Sequence, residues 1–337
     1  MARTLNDSTV LLFYQDCERD SLLPGDRYLK RLVRPVYHRF TRRQKVSGFL
    51  VWYQLLVRAL ERAGLEVRHN DFRAARRNPD HPVGLIGYPQ ILDGWDLPNP
   101  AVLGPGLIDH PSLAPGLMDD GRFQLYVVTC DWMRELFAPH YGAERVVPWY
   151  AGIDLAEWPD LRAEPKDVDV LVYDKIRWNR DRLVPELLTP VMEALAARGL
   201  RVETVRYKEY DHETYRALLG RSRAMVFLCE HETQGMAYQE AMASDVPILA
   251  WDNGCWLDPN VGAWEGRPVP ASSVPYFSPE CGERFRGADD FAAALDRFWP
   301  RLDDYTPRRY VARELSQEGS ARLYMEHYRR ALRPAAV

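Results

Sequence analysis

The sequence predicts an α/β protein of two doubly wound domains, each a parallel sheet covered by helices on both faces. Three observations carry that expectation: strand-like and helical runs alternate almost from end to end, one polar proline-bearing stretch interrupts them, and the alternation then restarts. Folds of this kind bind ligands outside the carboxyl ends of their strands, so the two domains are expected to face each other across a cleft.

In the first half, VLLFYQ (10–15) reads as a short strand. FLVWYQLLVRALERA (49–63) has apolar residues at helical spacing and stops at Gly64. LEVRH, VGLIGY (83–88), AVLG (101–104) and QLYVV (124–128) continue the strands, and WMRELFAPHYG is a helix. LAEWPDLRAEPKD (155–167) has no periodicity and marks a domain boundary. Beyond it come the strand DVLVY, a helix over 183–198, LRVETVRY, a helix over 212–220, AMVFL, a helix after Gly235 and VPILAW. Helical patterns over 289–299 and 308–332 close the chain. The expected domains are 1–158, 159–315 and a final helix, 316–337, returning to pack on the first domain.

The totals bound the class. The chain has 337 residues, 46% of them hydrophobic, enough for two cores and ordinary for a globular protein. A net charge of -4 gives no overall pull toward nucleic acid. The five cysteines (Cys17, Cys130, Cys229, Cys255, Cys281) form no CxxC pair, which suits reduced thiols better than a disulfide framework or a zinc site. No basic start leads into a long apolar segment and no run approaches a membrane span, so the expectation is a cytoplasmic protein.

The stretch CEHETQGMAYQEAMASDVPILAWD (229–252) raises the chemical question, because a strand leads at once into two acids, a glycine and an amphipathic helix. Gly235 permits close backbone approach, and the first amides of the helix behind it favour an anion such as a diphosphate. Glu240 lies more than a turn into that helix, where a carboxylate can accept both hydroxyls of a ribose; Glu232, in the loop, could reach hydroxyls of a sugar beyond the phosphates. The competing structural reading is a helix N-terminus decorated with acids. VLVYDKIRWNR (170–180) adds a strand whose end delivers Lys175, Arg177 and Arg180, cations a diphosphate needs, although a solvated basic loop would look the same.

With those residues in view, the chain resembles the retaining GT-B nucleotide-sugar glycosyltransferases of glycosyltransferase family four. ETQGMAYQEAMASDVPI (232–248) is similar to that family's glutamate, glycine and "EAMA" segment, with Glu232 and Glu240 in register. Lys175 and Arg180 have the spacing of its diphosphate-binding pair, with the cation types exchanged. VVTCDWMRELFAPHYGAERVVPWYAGIDLAEWPD (127–160) resembles its passage between domains, and Ser47 and Gly48 its N-terminal glycine loop. The chain departs where the family often has Gly-Phe-Gly and here stand Thr233, Gln234 and Gly235. It departs again where a strand-end "VHG" becomes GPGLIDHP, leaving Asp109 and His110 as displaced acceptor-side candidates.

The resemblance implies a GT-B fold of two Rossmann-like domains and transfer of a hexose from a nucleotide diphosphate sugar with retention of configuration. It implies no cofactor and no metal. Lys175, Arg180 and the amides at Gly235 and Met236 would hold the diphosphate, Glu240 the ribose, and Glu232 with the loop, Gln234 included, the donor sugar. The acceptor would be a glycan or a lipid-linked molecule, in polysaccharide or glycoconjugate assembly. A nucleotide-sugar epimerase or hydrolase on the same fold, and a non-catalytic sugar-nucleotide-binding partner subunit, are the alternatives. The segment 26–45 carries eight Lys/Arg against one Asp, interleaved with Tyr28, Tyr37 and Phe40. It reads either as a solvated basic loop or as a contact with an anionic acceptor or with anionic membrane at the inner face, and not as a nucleic-acid site.

Overall fold

The computed structural model describes residues 5–15 and 48–332. Along the chain run β1 (Thr9–Gln15), α1 (Gly48–Arg62), β2 (Glu66–His69), α2 (Phe72–Arg77), β3 (Val83–Gly87), β4 (Ala101–Gly106), β5 (Phe123–Val128), α3 (Asp131–Tyr141) and β6 (Val146–Pro148). They continue with β7 (Val168–Lys175), α4 (Arg180–Leu183), α5 (Thr189–Ala197), β8 (Val202–Arg206), α6 (His212–Arg221), β9 (Ser222–Cys229), α7 (Met236–Ala243), β10 (Ile248–Trp251), α8 (Val261–Trp264) and β11 (Gly282–Phe285). The last helices are α9 (Ala288–Phe298), α10 (Pro307–Glu314) and α11 (Gln317–Arg330). Two compact units result: residues up to 128, with 140–147 and 321 onward, make the first, and 129–139 with 148–320 make the second.

The first unit is built on a six-stranded sheet of order β2-β1-β3-β4-β5-β6, whose order reverses between β1 and β3. β1 is buried along most of its length, as a strand covered on both faces must be. Helix α1 buries Trp52, Tyr53, Leu55, Leu56, Ala59 and Leu60. It ends where Gly64 turns left-handed at φ 81 and Leu65 N–H reaches back to Leu60 O at 3.1 Å. Asp71 caps α2 by accepting from Ala74 N–H. The end of α11 belongs to this unit because Tyr328 Oη accepts from Leu11 N–H at 2.9 Å inside the sheet. Gly84 leaves the space that the neighbouring Tyr324 hydroxyl occupies.

The second unit carries a five-stranded sheet of order β11-β10-β9-β7-β8, parallel throughout. Strand periodicity sorts its core into two faces. Leu171 and Tyr173 of β7 and Met225 and Phe227 of β9 face α6, α7 and α10, where Tyr215, Leu219, Tyr238, Met242 and Val311 pack. Val170, Val172, Val226 and Leu228 face Leu187, Val191 and Leu195, with Phe291 and Phe298 of α9.

The structure departs from the sequence expectation in three places. Strands β6 and β11 and the short helix α2 have no clear sequence pattern. The helix expected over 183–198 begins at Arg180 and widens into a π turn over Val184–Leu188, where Pro190 has no N–H to give the fourth carbonyl back. The helix expected over 308–332 breaks at Leu315, whose carbonyl accepts from Ile153 N–H at 2.9 Å, and Ser316 bridges to Ile153.

The polar stretch 155–167 is tied down within the second unit. Arg308 donates to Trp158 O at 2.6 Å and to Leu155 O at 3.2 Å. Lys166 Nζ donates to Leu161 O at 2.8 Å and Gly220 O at 2.7 Å.

Candidate functional site

In the second unit the strand order reverses between β7 and β9, the position at which open parallel sheets present a ligand crevice. The last rung there pairs Lys175 with Cys229. Two loops leave that rung, 176–179 and 230–235; they carry Arg177, Glu232, Gln234 and Gly235, with Lys175 at the strand end before the first and Arg180 and Met236 at the helix starts behind them.

Carboxylates shape the first loop. Glu230 Oε1 accepts from Arg177 N–H at 2.7 Å and Trp178 N–H at 2.8 Å, which fixes the turn. Arg180 is gripped by Asp174 through two parallel bonds of 2.9 and 2.8 Å, and Asp174 also takes Ile176 N–H at 3.0 Å. Arg180 is therefore a strap across the start of α4 in this state. Arg177 stands 3.5 Å from Glu230 and donates to His231 O at 2.9 Å.

Lys175 reaches further along the second loop, where its Nζ donates to Glu232 Oε1. Both side chains are nearly closed to water, at 11% and 9% exposure, and the ammonium also sits 4.5 Å from the centre of the Tyr207 ring. Burial opposes the charge on Lys175, but the neighbouring Glu232, Cys229 and Tyr207 outweigh it and the amine is raised to about 12. The backbone of Glu232 is pinned on both sides: its N–H donates to Ser272 O at 2.9 Å and its carbonyl accepts from Trp132 Nε1 at 2.9 Å.

Gly235 opens α7 in the left-handed region, φ 86 and ψ 58, and no side chain caps the helix. A Cβ there would meet Tyr238 Cδ1 at 2.6 Å and Glu232 Cγ at 3.2 Å. The uncapped amides beginning at Met236 are a partial positive charge at the sheet's carboxyl edge. Gln234 is fully buried: its Oε1 accepts from Ala151 N–H at 2.9 Å and its Nε2 donates to Ala151 O at 2.7 Å. It therefore anchors the loop through both ends of its amide.

Glu240 is buried along α7, and among the described residues no cation is ion-paired to it. Burial, with the Glu157 charge adding to it, pushes its carboxyl up to about 8, while Lys175 pulls the other way. A buried carboxyl with no cation at hand is an acceptor held ready for donors such as a pair of hydroxyls.

Sequence reasoning missed His231 and the rings around it. Its imidazole stacks on Trp178 at 5.3 Å and 11°, and meets Trp132 and Trp256 edge-on at 6.0 and 5.9 Å. Burial and the charges of Arg177 and Lys175 push the ring down to about 2, so it stays neutral. The histidine and Trp178 were visible in their motifs, but nothing local announces that Trp132 and Trp256, from distant segments, close over them.

In the first unit, Gly48 opens α1 with open space where a Cβ would stand. Ser47 and the basic segment 26–45 lie outside the described residues. Asp109 is exposed, whereas His110 is buried and caps the turn at Pro111–Leu113, its Nδ1 lying 2.7 Å from Ser112 Oγ. That is a structural role for His110 in the described loop. Among the described residues no group of three or more His, Cys, Asp or Glu side chains is arranged to hold a metal ion, and no helix is long and apolar enough to cross a membrane.

No family model and no curated protein matches the chain. Among solved structures it is similar to a glycosyltransferase from Rickettsia africae ESF-5, at a TM-score of 0.53 and 12% identity, over 98% of this chain and 100% of that one. It is also similar to the pneumococcal O-GlcNAc transferase GtfA in complex with UDP and GlcNAc, at a TM-score of 0.51 and 12% identity. That match covers 76% of this chain but 57% of GtfA, so the chain spans little more than half of that protein's length. At these identities the likeness is one of fold. Two parallel-sheet, Rossmann-like α/β units of the GT-B type are what the chain has in common with them.

Proposed function

We propose that this protein transfers a hexose from a nucleotide diphosphate sugar to a glycan or lipid-linked acceptor, with retention of anomeric configuration and without a metal. The observation that carries the reading is the convergence of Lys175, Glu232, the uncapped start of α7 and the unpaired carboxyl of Glu240 around one switch point of a Rossmann-like sheet. The GT-B likeness supports it, and the solved structure of pneumococcal GtfA holds UDP and GlcNAc.

In this reading Lys175 and the amides at Gly235 and Met236 stabilise the diphosphate as the bond from the anomeric carbon to its oxygen breaks and an acceptor oxygen takes its place. Preorganised donors aimed at a leaving group in a site closed to water supply several kcal/mol. Glu240 accepts the two ribose hydroxyls, and Glu232 accepts hydroxyls of the donor sugar. Arg180 and Gln234 hold the two loops in shape rather than touching the donor. The segment 26–45 remains the proposed contact with an anionic acceptor or membrane surface. Ser47 and Gly48 remain proposed donor-binding positions, and Asp109 a proposed acceptor-side one.

A thermal-shift series with UDP, GDP, ADP and their hexose conjugates tests the donor site. A ligand at 100 times its dissociation constant adds about 2.7 kcal/mol of stability. One nucleotide class should stabilise the protein, with or without Mg²⁺, and Glu240→Ala should lose the shift. No shift with any of them removes the reading.

A further inference from the structure

We propose that the Lys175–Glu232 ion pair is an exchange device that favours the intact nucleotide diphosphate sugar over the bare nucleotide diphosphate left after transfer. The inference rests on the donor site proposed above and concerns how that site tells its substrate from its product.

All three cations of the 175–180 segment are held by carboxylates, but the three pairs are not equivalent. Asp174 binds Arg180 through both oxygens and also holds the backbone N–H of Ile176. Glu230, which faces Arg177, holds the backbone N–H groups of Arg177 and Trp178. Opening either pair would undo the loop. Among the described residues, the Glu232 carboxylate holds Lys175 and, besides it, only a thiol contact from Cys229 Sγ at 3.6 Å. Its backbone is fixed independently by Ser272 and Trp132. Lys175 has a second resting place on the Tyr207 ring. This pair can therefore part while both loops keep their shape.

A diphosphate at the start of α7 competes with Glu232 for Lys175. Once Lys175 turns to the phosphate, Glu232 is a carboxylate closed to water and without a partner, which is costly unless new donors reach it. The hydroxyls of an attached sugar are such donors; a bare nucleotide diphosphate has none at that position. The site is complete only when phosphate and sugar arrive together. After transfer Glu232 draws Lys175 back, and the spent nucleotide is loosened.

Calorimetric affinities of UDP, GDP and ADP, and of their glucose conjugates, for the wild type, Glu232→Gln and Lys175→Met test this. Whichever bare diphosphate binds the wild type should bind Glu232→Gln at least about tenfold more tightly, while its conjugate gains nothing, so the preference for the conjugate narrows by about tenfold. Lys175→Met should weaken both. A bare diphosphate that binds Glu232→Gln no more tightly than the wild type overturns the exchange. If that happens while Lys175→Met still abolishes binding, the donor site stands and only the exchange falls. If no nucleotide binds the wild type, the donor site falls with it. Should Glu232→Gln fail to fold, judged by its melting curve, Glu232→Asp serves instead, and the same gain in smaller measure is expected.

Discussion

Lys175 and Cys229 are register partners on the last rung shared by β7 and β9, so the loops leaving these strands start side by side where the sheet's order reverses. The consequence is that Lys175 can answer to groups on the other loop. Replacing it with methionine keeps most of the unbranched side chain and removes the charge-assisted bonds. Nucleotide affinity should fall by about 10- to 150-fold, the equivalent of about 1.5–3 kcal/mol. Titration calorimetry measures it, and affinity within twofold of the wild type would place the phosphates elsewhere.

Glu240 gives the protein a pH dependence of known sign. Its folded-state carboxyl is raised to about 8 from an ordinary value of 4.5, so between those values the folded chain holds a proton that the unfolded chain releases. The associated stability is fully present below pH 4.5 and is lost as pH climbs to about 8. Glu240→Gln removes this slope: its melting temperature should match the wild type in acid and exceed it at pH 9. Melting curves that stay parallel across this range would contradict the unpaired carboxyl.

The same proton tests the proposed ribose contact. A ribose diol donates to the ionised carboxylate, so binding near neutral pH should release protons from Glu240. Calorimetry in buffers of different ionisation enthalpy reads this as a buffer-dependent heat. Glu240→Gln should lose that dependence.

Gly235→Ala puts a Cβ against the Tyr238 ring in a backbone region where side chains are strained, at φ 86. A destabilisation of about 1–3 kcal/mol is expected, with loss of nucleotide binding, because the start of α7 must move. A variant with unchanged melting and binding would show that the cradle tolerates the shift.

Arg180→Ala separates structure from ligand. It leaves Asp174, 4% exposed, with a backbone N–H as its remaining partner. Stability should drop by about 2–3 kcal/mol, at the low end of buried-pair losses because Arg180 keeps some contact with water. Nucleotide affinity of the folded fraction should change far less than in Lys175→Met. Equal affinity losses would return Arg180 to the phosphates.

Much of the α/β pattern was legible because strand and helix periodicities differ and because Gly64 and Gly235 punctuate helices where they do. The runs at Thr9–Gln15, Val168–Lys175 and Ser222–Cys229 are apolar on both faces, which only a covered parallel strand requires. The short edge strand at Gly282–Phe285 was not legible, since it has four residues with a charged pair in the middle. In the site, Lys175, Glu232 and Glu240 stood out by type and spacing. Arg180 looked like a free cation because Asp174, its partner, is simply the end of a strand in sequence. Gln234 looked like a ligand contact because its bond to Ala151 spans distant segments, and spacing does not record such bonds.

The bonds from Arg308 and Lys166 onto 155–166 have a practical meaning for anyone who would cut or splice this chain. A stretch without strand or helix periodicity is stapled in place, and should resist limited proteolysis as well as the helices around it. Trp149, whose indole N–H donates to Ser320 O at 3.1 Å, and Gly152, packed against the Gln317 backbone, extend the staple upstream. A chimera that exchanges the second unit and joins at the polar stretch would slice through an assembled surface. Its seam belongs before Trp149, with 129–139 and 317–320 carried along in the same piece.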